Sequence, residues 1–276
     1  MTNSRRLAIC ADDYGLGPAV DRGILALAGQ GRIGALSCLV TPPRWTAAGP
    51  MLRQCTAATG LHFNLTEGEP LSAALRAHWP RFPGLAKLMA MAFLGRLPGA
   101  LAEEFHAQLQ RFVAVVGRAP DFIDGHQHVH ALPGVRPIVL AAAQSLSLTL
   151  RNTGRAVGPG FAFKRRVIEA CGGRALAAEM RARGLPAAPA LVGVYGLAAS
   201  ADYRALMRGW LRDAPDGALL FCHPAQGQPD PGDAIAAARL NEMAYLASPA
   251  FAADLAEFGV SVAGTPRPGW PRSLPP

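Results

Sequence analysis

The stretch Asp121-Phe122-Ile123-Asp124-Gly125-His126-Gln127-His128-Val129-His130 sets Asp124, His126, His128 and His130 at a spacing of two. On an extended strand those four side chains emerge on one face. Three imidazoles and a carboxylate crowded together are costly to bury without a metal or mutual hydrogen bonds. A ligating histidine needs a partner for its other ring nitrogen, so one of the three can serve as support rather than ligand. A second stretch, Ala11-Asp12-Asp13-Tyr14-Gly15, places two carboxylates directly after an apolar run. Adjacent strand residues point to opposite sides, so one carboxylate can bind a metal while the other acts as a base. Turn and cap chemistry before Gly15 and Gly17 is the competing reading.

Two further strand ends are polar. In Gly60-Leu61-His62-Phe63-Asn64-Leu65-Thr66, the apolar Leu61, Phe63 and Leu65 alternate with His62, Asn64 and Thr66, and a buried polar face needs something to satisfy it. Ala218-Leu219-Leu220-Phe221-Cys222-His223-Pro224 ends a buried run in a histidine whose extended conformation Pro224 favours. His223 reads either as a positioned acid or as a hydrogen-bonded turn residue. Arg151, after Leu148 to Leu150, belongs with these strand-end groups, whereas His78 and His106 have no partners nearby and read as surface residues. An aspartate with two histidines at strand ends is the ligand set of a catalytic divalent-metal site with open positions, most naturally zinc. Such a metal acidifies water and polarises a carbonyl, which is hydrolytic chemistry. No phosphate-binding glycine loop, GxSxG elbow or dinucleotide fingerprint competes with it.

The elements that must hold these residues alternate from end to end. Strands are expected at Leu7 to Ala11, Ala35 to Val40, Leu61 to Leu65, Phe122 to Val129, Leu148 to Asn152, Leu191 to Tyr195, Ala218 to Cys222 and Val260 to Ala263. Helical patterns fall between them, near Pro18 to Gln30, Arg44 to Ala58, Leu101 to Val116, Gly134 to Ser145, Phe163 to Arg183, Ala201 to Arg212 and Ala234 to Leu246. The expected class is α/β, a distorted TIM-like (β/α) barrel of seven or eight strands, with an open doubly wound sheet as the alternative. Residues 1–276 read as one domain. Residues 72–99 interrupt the alternation and are candidates for a lid, a dimer contact, a lipid-facing patch or a core-packed helix. Residues 265–276 are a Pro-rich tail.

Hydrophobic residues are 50% and charged residues 17% of the 276, which excludes intrinsic disorder. The formal charge of +8 comes mostly from arginines scattered along the chain, a weak bias rather than a nucleic-acid footprint. Five cysteines with no CxxC spacing, and an N-terminal apolar run too short for a signal peptide, point to a reducing cytoplasmic setting.

Together, ADDYG, GLHFNLTEGEPL, FIDGHQHVH and FCHPA, in this order, resemble the YdjC family of carbohydrate deacetylases, which includes chitooligosaccharide deacetylases and a hopanoid-biosynthesis branch. The resemblance runs from about Leu7 to Ser248. It implies a distorted (β/α) barrel and removal of the N-acetyl group from an N-acetylated sugar with one divalent metal, zinc favoured and magnesium second. It implies Asp13, His62 and His126 as metal ligands, Asp12 as general base for the attacking water and His223 as the acid that protonates the departing amine. Asn64, Thr66, Asp124, His128, His130 and Arg151 are then expected to line the substrate or support the ligands. Arg239 and Glu242 match a further family segment without a derived role. Tyr14 stands where phenylalanine is common in the family. Rival readings are a metal-dependent hydrolase of a phosphoester or glycosidic bond and a basic binding protein without catalysis. No nucleic-acid partner is expected. A homodimer is open, and the segment Leu85 to Leu97 with the net charge favours a lipid-linked sugar or a peripheral membrane contact.

Overall fold

In the computed structural model of the chain, which describes residues 4–265, eight strands form one parallel sheet. They are β1 (Arg5–Tyr14), β2 (Ala35–Cys38), β3 (Ala58–Phe63), β4 (Phe122–Gly125), β5 (Thr149–Leu150), β6 (Leu191–Val192), β7 (Ala218–Cys222) and β8 (Val260–Ala263). The path through the sheet is β5-β4-β3-β2-β1-β7-β6, with β8 beside β1. At ten residues, β1 is long enough to be the hub. Its Arg5 to Ala8 pair with β8, its Leu7 to Ala11 with β7, and its Cys10 to Tyr14 with β2.

Period-two alternation decides which residues meet. Leu7, Ile9, Leu36, Leu61, Phe63, Ile123 and Leu220 belong to the main core under the helices. The intervening Ala8, Cys10, Ala35, Ala58, Phe122, Leu191 and Leu219 form a second, smaller cluster with Phe221 packed against it. Phe122 of β4 and Leu191 of β6, from the two arms of the path, belong to this one cluster, so the sheet is curled around it. Phe122 is the bulkiest buried side chain of that cluster. Gly60 faces it, and a Cβ at that position would lie 2.2 Å from the Phe122 ring. Continued toward the strands' C-terminal ends, the same inward rows reach Asp12, Ser37, His62, Asp124, Arg151 and His223. An apolar floor with a polar layer above it is therefore written into the alternation.

The curl does not close as an eight-stranded barrel would. Among the described residues β5 and β6 share no ladder, and the isolated bridge between Ala156 and Leu191 stands in that gap. The physical reason is where β5 ends: it stops at Leu150, and the chain that reaches β6 is the later segment 155–157, where Leu191 N donates to the Arg155 carbonyl and Val157 N to the Leu191 carbonyl.

Other differences follow local chemistry. The helix expected over Arg44 to Ala58 is a turn at Trp45–Ala48 and a tighter helix at Gly49–Gln54, where Pro50 has no amide hydrogen to continue the α pattern. The helix expected over Phe163 to Arg183 breaks into Ala162–Ile168 and Arg174–Ala182 around a wide turn at Glu169–Gly173. Gly172 causes the break, since its φ is +124° and a Cβ would meet the Ala131 carbonyl oxygen. A helix at Pro249–Glu257 was not expected. Residues 72–99 form helices Ala73–His78 and Leu85–Phe93 on the C-terminal side of the sheet. They pack inward through Leu75, Trp79, Phe82, Leu88 and Ala92, and Met89 and Met91 are partly buried against the core. Phe93 and Leu94 stay exposed, so the apolar surface there is smaller than the sequence pattern implies. The tail beyond Thr265 lies outside the described residues. No helix among the described residues is long and apolar enough to cross a membrane.

Candidate active site

The end of β1 departs from simple alternation. Its register against β2 shifts between Ala11 and Tyr14, and Asp13 takes a left-handed φ of +73°. A bulge of this kind re-aims a side chain. Asp12 and Asp13 therefore do not point to opposite sides of the sheet, as strict alternation would require. Both enter the mouth, and aspartate tolerates the conformation better than most residues.

Asp13 divides its two oxygens. Oδ2 accepts from Arg239 Nη2 at 2.7 Å, while Oδ1 lies 3.0 Å from His126 Nδ1 and 3.5 Å from His62 Nε2. Neither imidazole approach is aligned as a hydrogen bond, so Oδ1 is a buried carboxylate oxygen without a donor. Burial alone would raise the Asp13 pKa. The Arg239 guanidinium and the two imidazoles outweigh burial and hold the carboxyl well below its usual range. Burial likewise works against charging the histidines. Asp124 overcomes that at His62, with help from Asp12 and Asp13, and pushes its pKa up to about 10. Asp13 and Glu67 push His126 up to about 9. Carboxylates in excess around two imidazoles make a pocket that favours positive charge.

Behind His62 lies a continuous polar network. His62 Nδ1 meets Asp124 Oδ1 at 2.6 Å, and Ser37 Oγ bridges the two, donating to Asp124 Oδ1 at 2.5 Å and lying 2.9 Å from His62 Nδ1. Arg151, with its side chain fully buried, reaches Asp124 Oδ2 at 2.5 Å and donates to both oxygens of Asp12 at 2.6 Å. Cys10, Asp12 and Asp124 form a second close group of metal-binding types, but the Arg151 guanidinium already sits among all three. Ser37 was missed in the sequence, although Ala35 and Ser37 alternate on β2 as the other inward rows do.

The histidine run is not a strand. β4 ends at Gly125, and His126–Ala131 is a helical turn in which Gln127 and His128 have φ of +53° and +62°. The three histidines therefore separate instead of sharing a face. Two successive left-handed residues cost on the order of 1 kcal/mol each. His126 faces Asp13. His128 packs edge-on against Phe221, with ring centroids 5.4 Å apart. His130 turns inward, where Nε2 donates to the Arg151 carbonyl at 3.0 Å, and burial pushes its pKa down to about 4.

Asn64 and Thr66 leave the strand as well, since β3 stops at Phe63. Asn64 spends its carboxamide on the loop: Oδ1 accepts from Thr66 N and Glu67 N, and Nδ2 donates to Thr41 Oγ1 and the Glu67 carbonyl. The turn delivers Glu67, not singled out in the sequence, to within 3.2 Å of His126 Nε2. On the other side of the mouth, the His223 ring packs edge-on against Phe221, whose ring also faces Arg151 and His128. Its backbone N donates to Glu242 Oε2 at 2.5 Å, and Tyr195 Oη donates to Glu242 Oε1 at 2.5 Å. Glu242 thus holds the strand end carrying His223, and Arg239, braced at Nε by Asp233, holds Asp13. His78 and His106 are exposed.

Asp12, Asp13, His62, Asp124, His126 and Arg151 are thus one contiguous network. The model of the YdjC-like protein family matches residues 6–257. The chain belongs to this family. It is 32% identical over 290 residues to the carbohydrate deacetylase of Mus musculus, with 93% of each chain covered. It is also 35% identical over 156 residues to the chitooligosaccharide deacetylase of Klebsiella pneumoniae, over 53% of this chain and 59% of that one. A crystal structure from Enterococcus faecalis, of a candidate cellobiose-phosphate cleavage protein, superposes with a TM-score of 0.73 at 22% identity over 95% of this YdjC-like chain and 98% of the other. At that identity the likeness shows a shared fold.

Proposed function

We propose that the chain is a single catalytic domain that removes the N-acetyl group from an N-acetylated sugar, with Asp13, His62 and His126 holding one divalent cation. The observation that carries this reading is the buried Asp13 Oδ1, without an aligned donor and faced by one nitrogen from each of two histidines. The three ligand atoms lie within 4.8 Å of one another, and one carboxylate with two imidazoles suits zinc, with magnesium second. A cation held there supplies an acidified water and a polarised acetamide carbonyl.

The remaining chemistry belongs to the chain. Asp12 takes the proton of the attacking water; Arg151 occupies two of its four lone-pair positions and leaves others to accept. Asp124 and Ser37 orient His62. His223 delivers a proton to the departing amine from a strand end that Glu242 fixes. A metal-independent glycosidase is disfavoured, because its two carboxylates must both face the scissile bond. Here Asp13 has one oxygen on Arg239 and the other facing His62 and His126, which leaves it none for a scissile bond. Five free thiols suit a cytoplasmic location.

The test is metal analysis of the purified protein with acetate release from N-acetylglucosamine oligomers and from an N-acetylated glycolipid, before and after chelation. Metal-dependent acetate release is expected, and His62→Ala and His126→Ala should each lose the metal. Undiminished release from the stripped protein would overturn the reading, and the faster of the two substrates identifies the acceptor.

A further inference from the structure

We propose that Glu67 is a positioning residue for His126, orienting that imidazole from the solvent side as Asp124 orients His62 from the interior; the inference rests on the metal site described above. The two histidines are arranged alike. His62 turns Nε2 toward Asp13 Oδ1 and Nδ1 toward Asp124 Oδ1. His126 turns Nδ1 toward the same Asp13 oxygen and Nε2 toward Glu67 Oε1, at 3.0 and 3.2 Å. An imidazole that binds a cation through one nitrogen carries its proton on the other, and the acceptor it meets there sets both tautomer and ring angle. The Nε2 approach to Glu67 is off the ideal line.

The backbone beneath Glu67 is built to hold that carboxylate in place. Asn64 bonds the Glu67 amide and carbonyl, and Gln108 clamps Asn64 in turn, accepting from its N and donating to its carbonyl. Across the mouth, Gln127 Nε2 donates to the same Glu67 Oε1 at 3.2 Å. Gln127 is the first of the two left-handed residues that follow His126. One carboxylate therefore touches both the ring and the strained turn that carries it. The Glu67 side chain is half exposed, so its removal leaves the core untouched.

The test is zinc titration calorimetry on the metal-free wild type, Glu67→Ala and Glu67→Gln, with melting points of the metal-free proteins, absorption spectra of the cobalt forms and KM for acetate release. Glu67→Ala should bind zinc about 10–100-fold more weakly with an unchanged melting point. Glu67→Gln, whose amide oxygen still accepts from Nε2, should recover most of the affinity. Affinity of Glu67→Ala within twofold of wild type overturns the inference, most directly if KM alone rises, because Glu67 then contacts sugar. A loss that Gln does not recover, with a cobalt spectrum showing one ligand fewer, also overturns it by making Glu67 a ligand. A wild type that takes up neither zinc nor cobalt takes down the metal site itself, and this inference with it.

Discussion

Arg151 and Asp12, 139 residues apart in the chain, meet as a two-pronged pair in which each guanidinium Nη donates to a different carboxylate oxygen at 2.6 Å. Both side chains are buried, and Arg151 also reaches Asp124, so one arginine joins the carboxylate proposed as base to the one that orients His62. Removing one partner of a buried pair strands the other charge, which is far costlier than losing a surface ion pair.

Asp12→Asn should keep its metal while kcat falls about 10²–10⁴-fold, the usual share of a general base. Metal analysis beside steady-state rates decides it. Near wild-type turnover would mean that the water loses its proton elsewhere, and a lost metal would mean that the two aspartates have exchanged roles. Arg151→Met, which strands two carboxylates, should cost about 3–5 kcal/mol in denaturant unfolding.

Acid should destabilise the fold through His130. Burial pushes its pKa down to about 4, against about 6.5 in an unfolded chain. Between those values the unfolded chain binds a proton that the fold does not, so stability falls as pH drops through the window, by about 3 kcal/mol in total. His130→Gln removes that contribution and keeps a donor for the Arg151 carbonyl. Urea unfolding at pH 7 and pH 5 should show a shallower acid loss in the variant, by about 2 kcal/mol. Equal losses would mean that His130 is not held neutral.

Gly60→Ala should destabilise by about 1–3 kcal/mol, because the new methyl meets the Phe122 ring. Pairing it with Phe122→Leu should recover part of the loss. A single variant that melts with the wild type would show a looser interior than the packing indicates.

The inward rows were legible because alternation on a strand is a covalent property of the backbone. Asp12, His62, Asp124, Arg151 and His223 could be read as strand-end groups without knowing what lay opposite them. Glu67 carried no such signal, since its position depends on an asparagine-stabilised turn and on a helix that begins more than thirty residues later.

Residue order alone specifies an α/β chain of alternating parallel strands and helices, a polar layer at the strands' C-terminal ends, and four motifs that mark a YdjC-like protein. Periodicity and residue type are local and survive without partners. Long-range packing settles that Asp13 turns into the mouth beside Asp12, that the histidine run breaks at Gly125, and that the curl stops short of a closed barrel. It also settles the pairing of Asp13 with Arg239, 226 residues away. The Asp13 turn, the break after Gly125 and the Asp13–Arg239 pair each rest on a backbone conformation or a charge pair that is unfavourable alone and persists because packing from distant segments holds it, whereas the open curl follows from where β5 ends.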